Sequence, residues 1–440
     1  MNQATVIPLR GLNGKPSAEA LATLDRNWRP RYLLLAPHRL GFFLAMLVLV
    51  AAGTWWALVQ FDRMTATLDL SYVLSPSLVH GAVMTFGFIP LFFSGFLFTA
   101  GPKWLAVRPH ETGRLLTPML LQATGWLVWL AAAHFNAGVA IAALSLAWLG
   151  LTWMTLMFWQ LIRRSRMTDR VHALTIGAGC IVGCLSLAGL VLGLSFNAFT
   201  VALACLLSGL WGFVLVVYVS VAHRMIPFFT SSAVPALDAW RPFWVLWLML
   251  GVAAFEVAAA WVTFGGPLTG FSGTAWTLSR GIFELVAGGL LLWLALAWGL
   301  VKSLKNRLLA MLHIGFLWLG LALTLGGVAQ LLGWVQGAPV LSLGALHALT
   351  MGCLASLMLA MVTRVSCGHS GRALVADGIV WSLFWLLQAA TLMRIAGAMQ
   401  SIFAGWLLLA AALLWAAIMA VWGLRLGGWY GRLRADGRAG

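Results

Sequence analysis

Charge is what this sequence has least of. Only 9% of its 440 residues are Asp, Glu, Lys or Arg, and the acidic ones number 11, whereas a soluble domain carries about 25% charged residues. A chain so poor in charge cannot cover its own apolar surface, which excludes a water-soluble globule and makes lipid the solvent. Cysteine is scarce as well. Cys180, Cys184, Cys205, Cys353 and Cys367 form neither CxxC nor CxxCH, so a zinc ribbon or a covalently attached c-type haem has no support. Cys180 and Cys184 share a helix face and read as packing residues. Also missing is the apolar–polar alternation of strands; inside a bilayer the backbone must then satisfy itself within each segment, as a helix does.

Long apolar runs are what the chain does have. Hydrophobic residues make up 62% of it. Runs of about 20 residues, each able to cross roughly 30 Å of hydrocarbon at 1.5 Å per residue, fall near 40–60, 77–100, 117–134, 138–162, 173–194, 199–222, 240–264, 280–301, 308–334, 341–363, 376–397 and 402–424. The sequence therefore predicts an all-α, polytopic bundle of twelve transmembrane helices over 40–424, with tails at 1–39 and 425–440. The first tail has no apolar segment with a cleavage site, so a signal peptide is not expected.

Of the 27 basic residues, 24 lie in the tails or in the loops that follow spans 2, 4, 6, 8 and 10; only Arg63, Arg280 and Arg394 lie on the other side. By the positive-inside rule both termini are cytoplasmic. The net charge of +16 is then a topology signal and not the footprint of a nucleic-acid partner. The 47 Gly residues suit close helix approach, and the 25 Trp residues are expected largely as interfacial anchors. FTAGPKW, SVAHRMIPFF and MVTRVSCG close spans 2, 6 and 10, a spacing that would suit three pseudo-repeats of four helices.

Ionisable groups inside a membrane are costly and usually functional. His38, His110, His134 and His369 fall in tails or loops and read as solvated or interfacial. His80, His172, His223, His313 and His347 fall in or at the ends of spans. His80 sits about one turn into span 2 and His347 about two turns into span 10; the two spans run the same way, so both lie at similar depth in the outer half. Two neutral imidazoles facing each other are what a b-type haem iron requires, one from each side. Two separate, hydrogen-bonded core histidines satisfy the same positions. Glu256, Glu284 and Arg394 lie in the same half. Arg394 and Arg280 are candidates to neutralise haem propionates, and Glu256 and Glu284 to relay protons. Arg280 and Glu284, four apart on one helix, could instead simply pair. His172, His223 and His313, at the cytoplasmic ends of spans 5, 6 and 9, are candidates for a second metal site or for plain interfacial residues.

The segment VHGAVMTFGFIPLFFSGF at 79–96 places His80, Met84, Phe86, Pro90 and Gly95 in the order H-x3-M-x-F-x3-P-x4-G. It resembles the second helix of the catalytic subunit of haem-copper oxidases and nitric oxide reductases, which carries a ligand of the low-spin haem. In that superfamily the opposite ligand lies on the tenth of twelve helices, where His347 falls. The superfamily's copper site does not carry over. Span 7 contains no His, span 6 no His-Pro-Glu, and span 10 only the single His347.

A closer resemblance is to the NnrS family. LHALTMGCLASLMLAMVTRVSCGHSGRAL at 346–374, HRMIPFFTSSAV at 223–234 and LLAMLHIGFLWLGLAL at 308–323 are similar to its most recognisable segments, and span 2 corresponds to its H-x-H-E-M-x-F-G-F. His80, His313, His347, Arg224, Arg364, His369 and Arg372 match. The family's second span-2 histidine and its glutamate fall on Ala82 and Val83, and His223 stands where many relatives have a small residue. The resemblance implies a bacterial inner-membrane protein with haem b and with copper or a second haem, tied to denitrification and nitric oxide resistance. It also puts Arg224 and Arg364 among the cofactor-binding candidates. Turnover of nitric oxide would need an electron donor such as a quinol or a redox protein. A non-catalytic haem sensor or sink, a twelve-helix transporter and an assembly or metal-handling factor are the alternatives.

Overall fold

Helix ends follow local chemistry. The structure is a computed structural model that describes residues 27–436 except 236, 267, 342 and 400; the basic residues Arg10, Lys15, Arg26 and Arg438 of the expected tails lie outside the described residues. Pro37 and Pro76 open the first two membrane helices, α1 (Pro37–Thr65) and α2 (Pro76–Trp104), at positions where the missing N–H has no helical partner to lose. Then follow α3 (Thr112–Ala132), α4 (Ala137–Arg164), α5 (Val171–Ser195), α6 (Phe199–Ala233), α7 (Phe243–Gly265) and α8 (Gly270–Ala297). The last four are α9 (Arg307–Gln336), α10 (Gly344–His369), α11 (Gly378–Ala396) and α12 (Ala404–Tyr430). Asn136, Asn306 and Asp377 cap α4, α9 and α11 through side-chain oxygens that accept backbone N–H bonds. All twelve expected spans are present among the described residues, and no strand is.

Both described ends of the chain lie on one side of the bundle. Arg29 N–H donates to the Gly431 carbonyl at 2.7 Å, the Trp28 indole to Gly427, and the Arg39 guanidinium to the carbonyls of Tyr430 and Arg432. α12 packs back along α1 and closes the ring. Small residues let helices meet. A Cβ on Gly41 of α1 would stand 2.7 Å from the Gly95 Cα of α2, and one on Gly288 of α8 would meet Thr324 and Gly320 of α9.

Burial separates a centre from a rim. The apolar windows of α2, α9, α10 and α6 are 78%, 72%, 72% and 67% buried, against 39% for α8 and α11. α2, α6 and α10 are also irregular in mid-membrane. α2 breaks at Gly87, while α6 and α10 widen into π-helical turns at Leu210–Leu215 and Ala348–Ala355, a device common at functional sites. The fourfold spacing of the sequence echo therefore coincides with the three irregular helices.

The break in α2 has an identifiable cause. Pro90 has no N–H for the Phe86 carbonyl. The side chain of Gln122, fully buried on α3, donates to that carbonyl at 2.6 Å instead. Replacing Gln122 by Leu orphans a buried acceptor, at about 1–3 kcal/mol, and is expected to lower the thermal midpoint in detergent. Pro90→Ala in the same chain restores a backbone donor, and recovery of the midpoint by the double variant is the check.

The tryptophans divide between core and rim. Trp126, Trp129 and Trp422 are fully buried and act as core residues, with Trp422 donating to Thr363 Oγ1 at 3.1 Å. The rim presents exposed Leu, Val and Trp side chains such as Leu185, Val286 and Trp293, as a lipid-facing surface does.

Candidate functional site

A cavity of about 920 Å³ lies in the half of the bundle away from the termini, within the size range of cofactor pockets. The irregular stretches shape it. Leu210 and Trp211 from the α6 π-turns line it, as do Thr350, Met351 and Leu354 from those of α10. Gly81, Gly326, Ala322 and Ala345 keep its walls low. Its polar lining gathers most of the residues singled out in the sequence, namely His80, His347, Arg280, Glu256, Glu284 and Arg394.

His80 stacks on Trp56 of α1, ring centroids 4.0 Å apart and planes 13° apart, and the Arg63 guanidinium lies over the same indole. The Nδ1 atom of His80 is buried without a hydrogen-bond partner. His347, just ahead of the π-turns, places Nδ1 2.8 Å from the Leu343 carbonyl. A carbonyl only accepts, so Nδ1 carries the proton and Nε2 keeps its lone pair. His80, His347 and Arg394 all line this one cavity. Arg394 makes no ion pair or hydrogen bond among the described residues.

The same cavity is lined by a three-residue ion cluster. Arg280 donates to Glu284 Oε1 at 2.7 Å and to Glu256 Oε2 at 2.9 Å. The pairing of Arg280 with Glu284 anticipated within one helix is present, and α7 adds Glu256 to it. Phe255 packs on Phe283 beside the cluster, centroids 3.9 Å apart, which fixes the register of α7 on α8. Glu256 Oε1 and Glu284 Oε2 are buried without partners. The guanidinium of Arg280 is thus engaged by protein carboxylates, and Arg394 is the free cation of the pair considered for propionates.

The three histidines of the other half do not form one group. His223 Nε2 faces the Pro242 carbonyl at 3.2 Å, so it donates there. Its Nδ1 then accepts from His172 Nε2 at 2.9 Å. His313 bonds elsewhere. The Thr230 hydroxyl donates to the Ile226 carbonyl, so His313 Nε2 donates to Thr230 Oγ1 at 2.9 Å. Among the described residues no group of three or more His, Cys, Asp or Glu is placed to hold a metal. Arg364 lies over the Phe229 ring and Arg224 over Trp104, and neither lines the large cavity.

One histidine expected at the solvated edge is placed differently. His38 is buried and packs on His369, centroids 4.5 Å apart; the sequence put them at opposite ends of the chain and gave no sign of their meeting. His134 donates to the Ser71 carbonyl and accepts from the Trp55 indole, holding down the loop after α1. Trp56 and Gln122 escaped the sequence reading because their roles depend on neighbouring helices.

Over residues 32–434 the sequence matches the family described as NnrS protein. The chain belongs to the NnrS family. That range contains all twelve membrane helices and every residue that lines the cavity, so the cavity is part of the NnrS region itself. No curated protein matches the chain. Membership in NnrS and twelve spans together fit a multi-pass membrane protein related to nitric oxide.

Proposed function

We propose that the large cavity holds a b-type haem between His80 and His347, and that this NnrS protein of the bacterial inner membrane binds nitric oxide there and reduces it. The observation that carries the reading is the pairing of two imidazoles on one 920 Å³ cavity, one with a free Nε2 set by the Leu343 carbonyl and the other with an orphaned buried nitrogen. The residues present fit the group. Arg394 supplies a cation with no anionic partner among the described residues, the low Gly and Ala walls leave room for a flat macrocycle, and Trp56 stacks on the His80 ring.

When bound, a haem iron supplies a gas-binding and one-electron redox centre. The protein's own residues would do the rest. The apolar walls keep bulk water out. The Leu343 carbonyl orients His347. Glu256 and Glu284 share one guanidinium, leaving an excess negative charge in apolar surroundings that a proton neutralises; the cluster would hold that proton at the cavity wall and release it toward a reduced ligand. Electrons would come from a quinol or a redox protein. For a copper ion or second haem, the other half brings together two histidine pairs among the described residues, His172–His223 and His38–His369, and no step is derived through either.

Anaerobic addition of nitric oxide to the dithionite-reduced purified protein tests the reading. A gas ligand would compete with an imidazole for the iron, so the low-spin bis-histidine spectrum is expected to change, and with dithionite kept in excess to supply two electrons for every two nitric oxide molecules, one nitrous oxide and one water are expected to form, two protons being taken up. A spectrum that ignores nitric oxide contradicts the proposal; a shift without nitrous oxide reduces it to a sink.

A further inference from the structure

A second, smaller cavity of about 70 Å³ lies deeper in the bundle, toward the side of the termini. It shares two wall residues with the large cavity, Tyr218 and Met358. Their positions are equivalent. Tyr218 follows the π-turns of α6, which end at Leu215, by three residues, and Met358 follows those of α10, which end at Ala355, by three. The two irregular helices thus place one side chain each at the junction of the cavities.

The remaining walls come from α1, α2, α6, α9 and α10 and are apolar throughout, with Phe93, Met225 and Met361 among the polarisable groups. Phe93 stands edge-on to Tyr218, centroids 5.3 Å apart, and to Phe213, 5.7 Å apart. Tyr218 is the single polar side chain in the lining. Its hydroxyl has no hydrogen-bond partner among the described residues.

That combination selects the occupant. A buried water needs two to four polar partners, and apolar cavities stay dry while taking up apolar guests. Charged solutes are excluded by the cost of desolvation. A water's share of liquid is about 30 Å³, and diatomic gases are of comparable size, so the space suits one or two of them. Thioether sulfur and aromatic rings add dispersion attraction for such a guest.

We propose that the small cavity is a docking site for a small uncharged gas molecule, which enters from the large cavity between Tyr218 and Met358. The identity of the gas as nitric oxide rests on the function proposed above; the docking site itself does not. It would keep a gas molecule a few side chains from the large cavity, available for a second encounter after the first leaves or reacts.

Xenon is the probe. In crystals of the purified protein pressurised with xenon, an anomalous peak is expected inside the ring of Phe93, Met225 and Met361. An ordered water there, or no peak, overturns the proposal, whether or not haem is bound. Ala222 lines the same space and is buried, so Ala222→Leu fills it and is expected to remove the peak. Val221→Phe serves the same purpose should that variant fail to fold. In haem-loaded protein, flash photolysis of the carbonyl complex reads the same site kinetically. The fraction of ligand that rebinds before escape should change at least twofold in the filled variant, and an unchanged fraction counts against the site. A xenon peak in protein without a Soret band would keep the docking site and reject the haem reading; a Soret band without the peak would do the reverse.

Discussion

Purified His80→Ala and His347→Ala proteins are each expected to lose the low-spin haem spectrum, and the double variant to retain at least about tenfold less haem than the parent. The magnitude follows from ligand chemistry. Loss of a partner that merely orients a ligand costs 10–100-fold in affinity for a metal centre, and here the ligand itself goes. His80 lies against Trp56 and His347 is tied to Leu343, so neither ring can swing far to replace the other. Haem content per protein by the pyridine haemochrome assay is the measurement, with size-exclusion profiles as the folding control. Three controls should leave the spectrum in place: His172→Ala, His223→Ala and His313→Ala, whose rings bond protein partners away from the large cavity. Loss of haem in those variants with retention in His80→Ala would move the site to the other half of the bundle.

The second large effect is on folding. Arg280→Met leaves Glu256 and Glu284 facing each other, 2% and 3% exposed, without their shared cation. Breaking a buried ion pair by removing one partner costs about 3–5 kcal/mol, much of a typical protein's stability, so little folded protein is expected. Removing all the charge is a different matter, because a buried cluster contributes little beyond an uncharged replacement of the same shape. The triple variant Arg280→Met, Glu256→Gln, Glu284→Gln should recover a thermal midpoint near that of the parent. It should also keep the haem spectrum while losing nitrous oxide formation, since the proton-holding carboxylates are gone. A triple variant as unstable as Arg280→Met would show that the cluster sets helix register; one that still forms nitrous oxide would remove the carboxylates from the chemistry.

How much of this was legible in the sequence differs by level. The twelve helices were, because a membrane span is a property of one uninterrupted segment and needs no partner. The meeting of both chain ends on one side was legible too, through the even number of spans and the side on which the basic residues collect. His80 and His347 could be placed at one depth by counting turns along two helices that run the same way. Contacts across helices were not legible. The pairing of Glu256 could not be read because its cation is on α8, and α7 meets α8 there through side chains such as Phe255 and Phe283 that no periodicity marks. The π-turns at 348–355 arise in ALTMGCLA, whose composition does not differ from that of its helical neighbours. Which tryptophans belong to the core was not legible for the same reason. Trp126 and Trp422 have the residue type of an interface anchor, yet neighbouring helices cover them completely. Gln122 is the sharpest case, since its role follows only from Pro90 on another helix.

The central claim is that one porphyrin iron sits between the rings of α2 and α10. A density map of protein purified from cells supplied with haem precursor tests it most directly. The account predicts planar density filling the large cavity, joined on its two faces to His80 and His347, with a carboxylate end near Arg394. A cavity that stays empty in such a preparation, or holds a molecule touching neither imidazole, would contradict it.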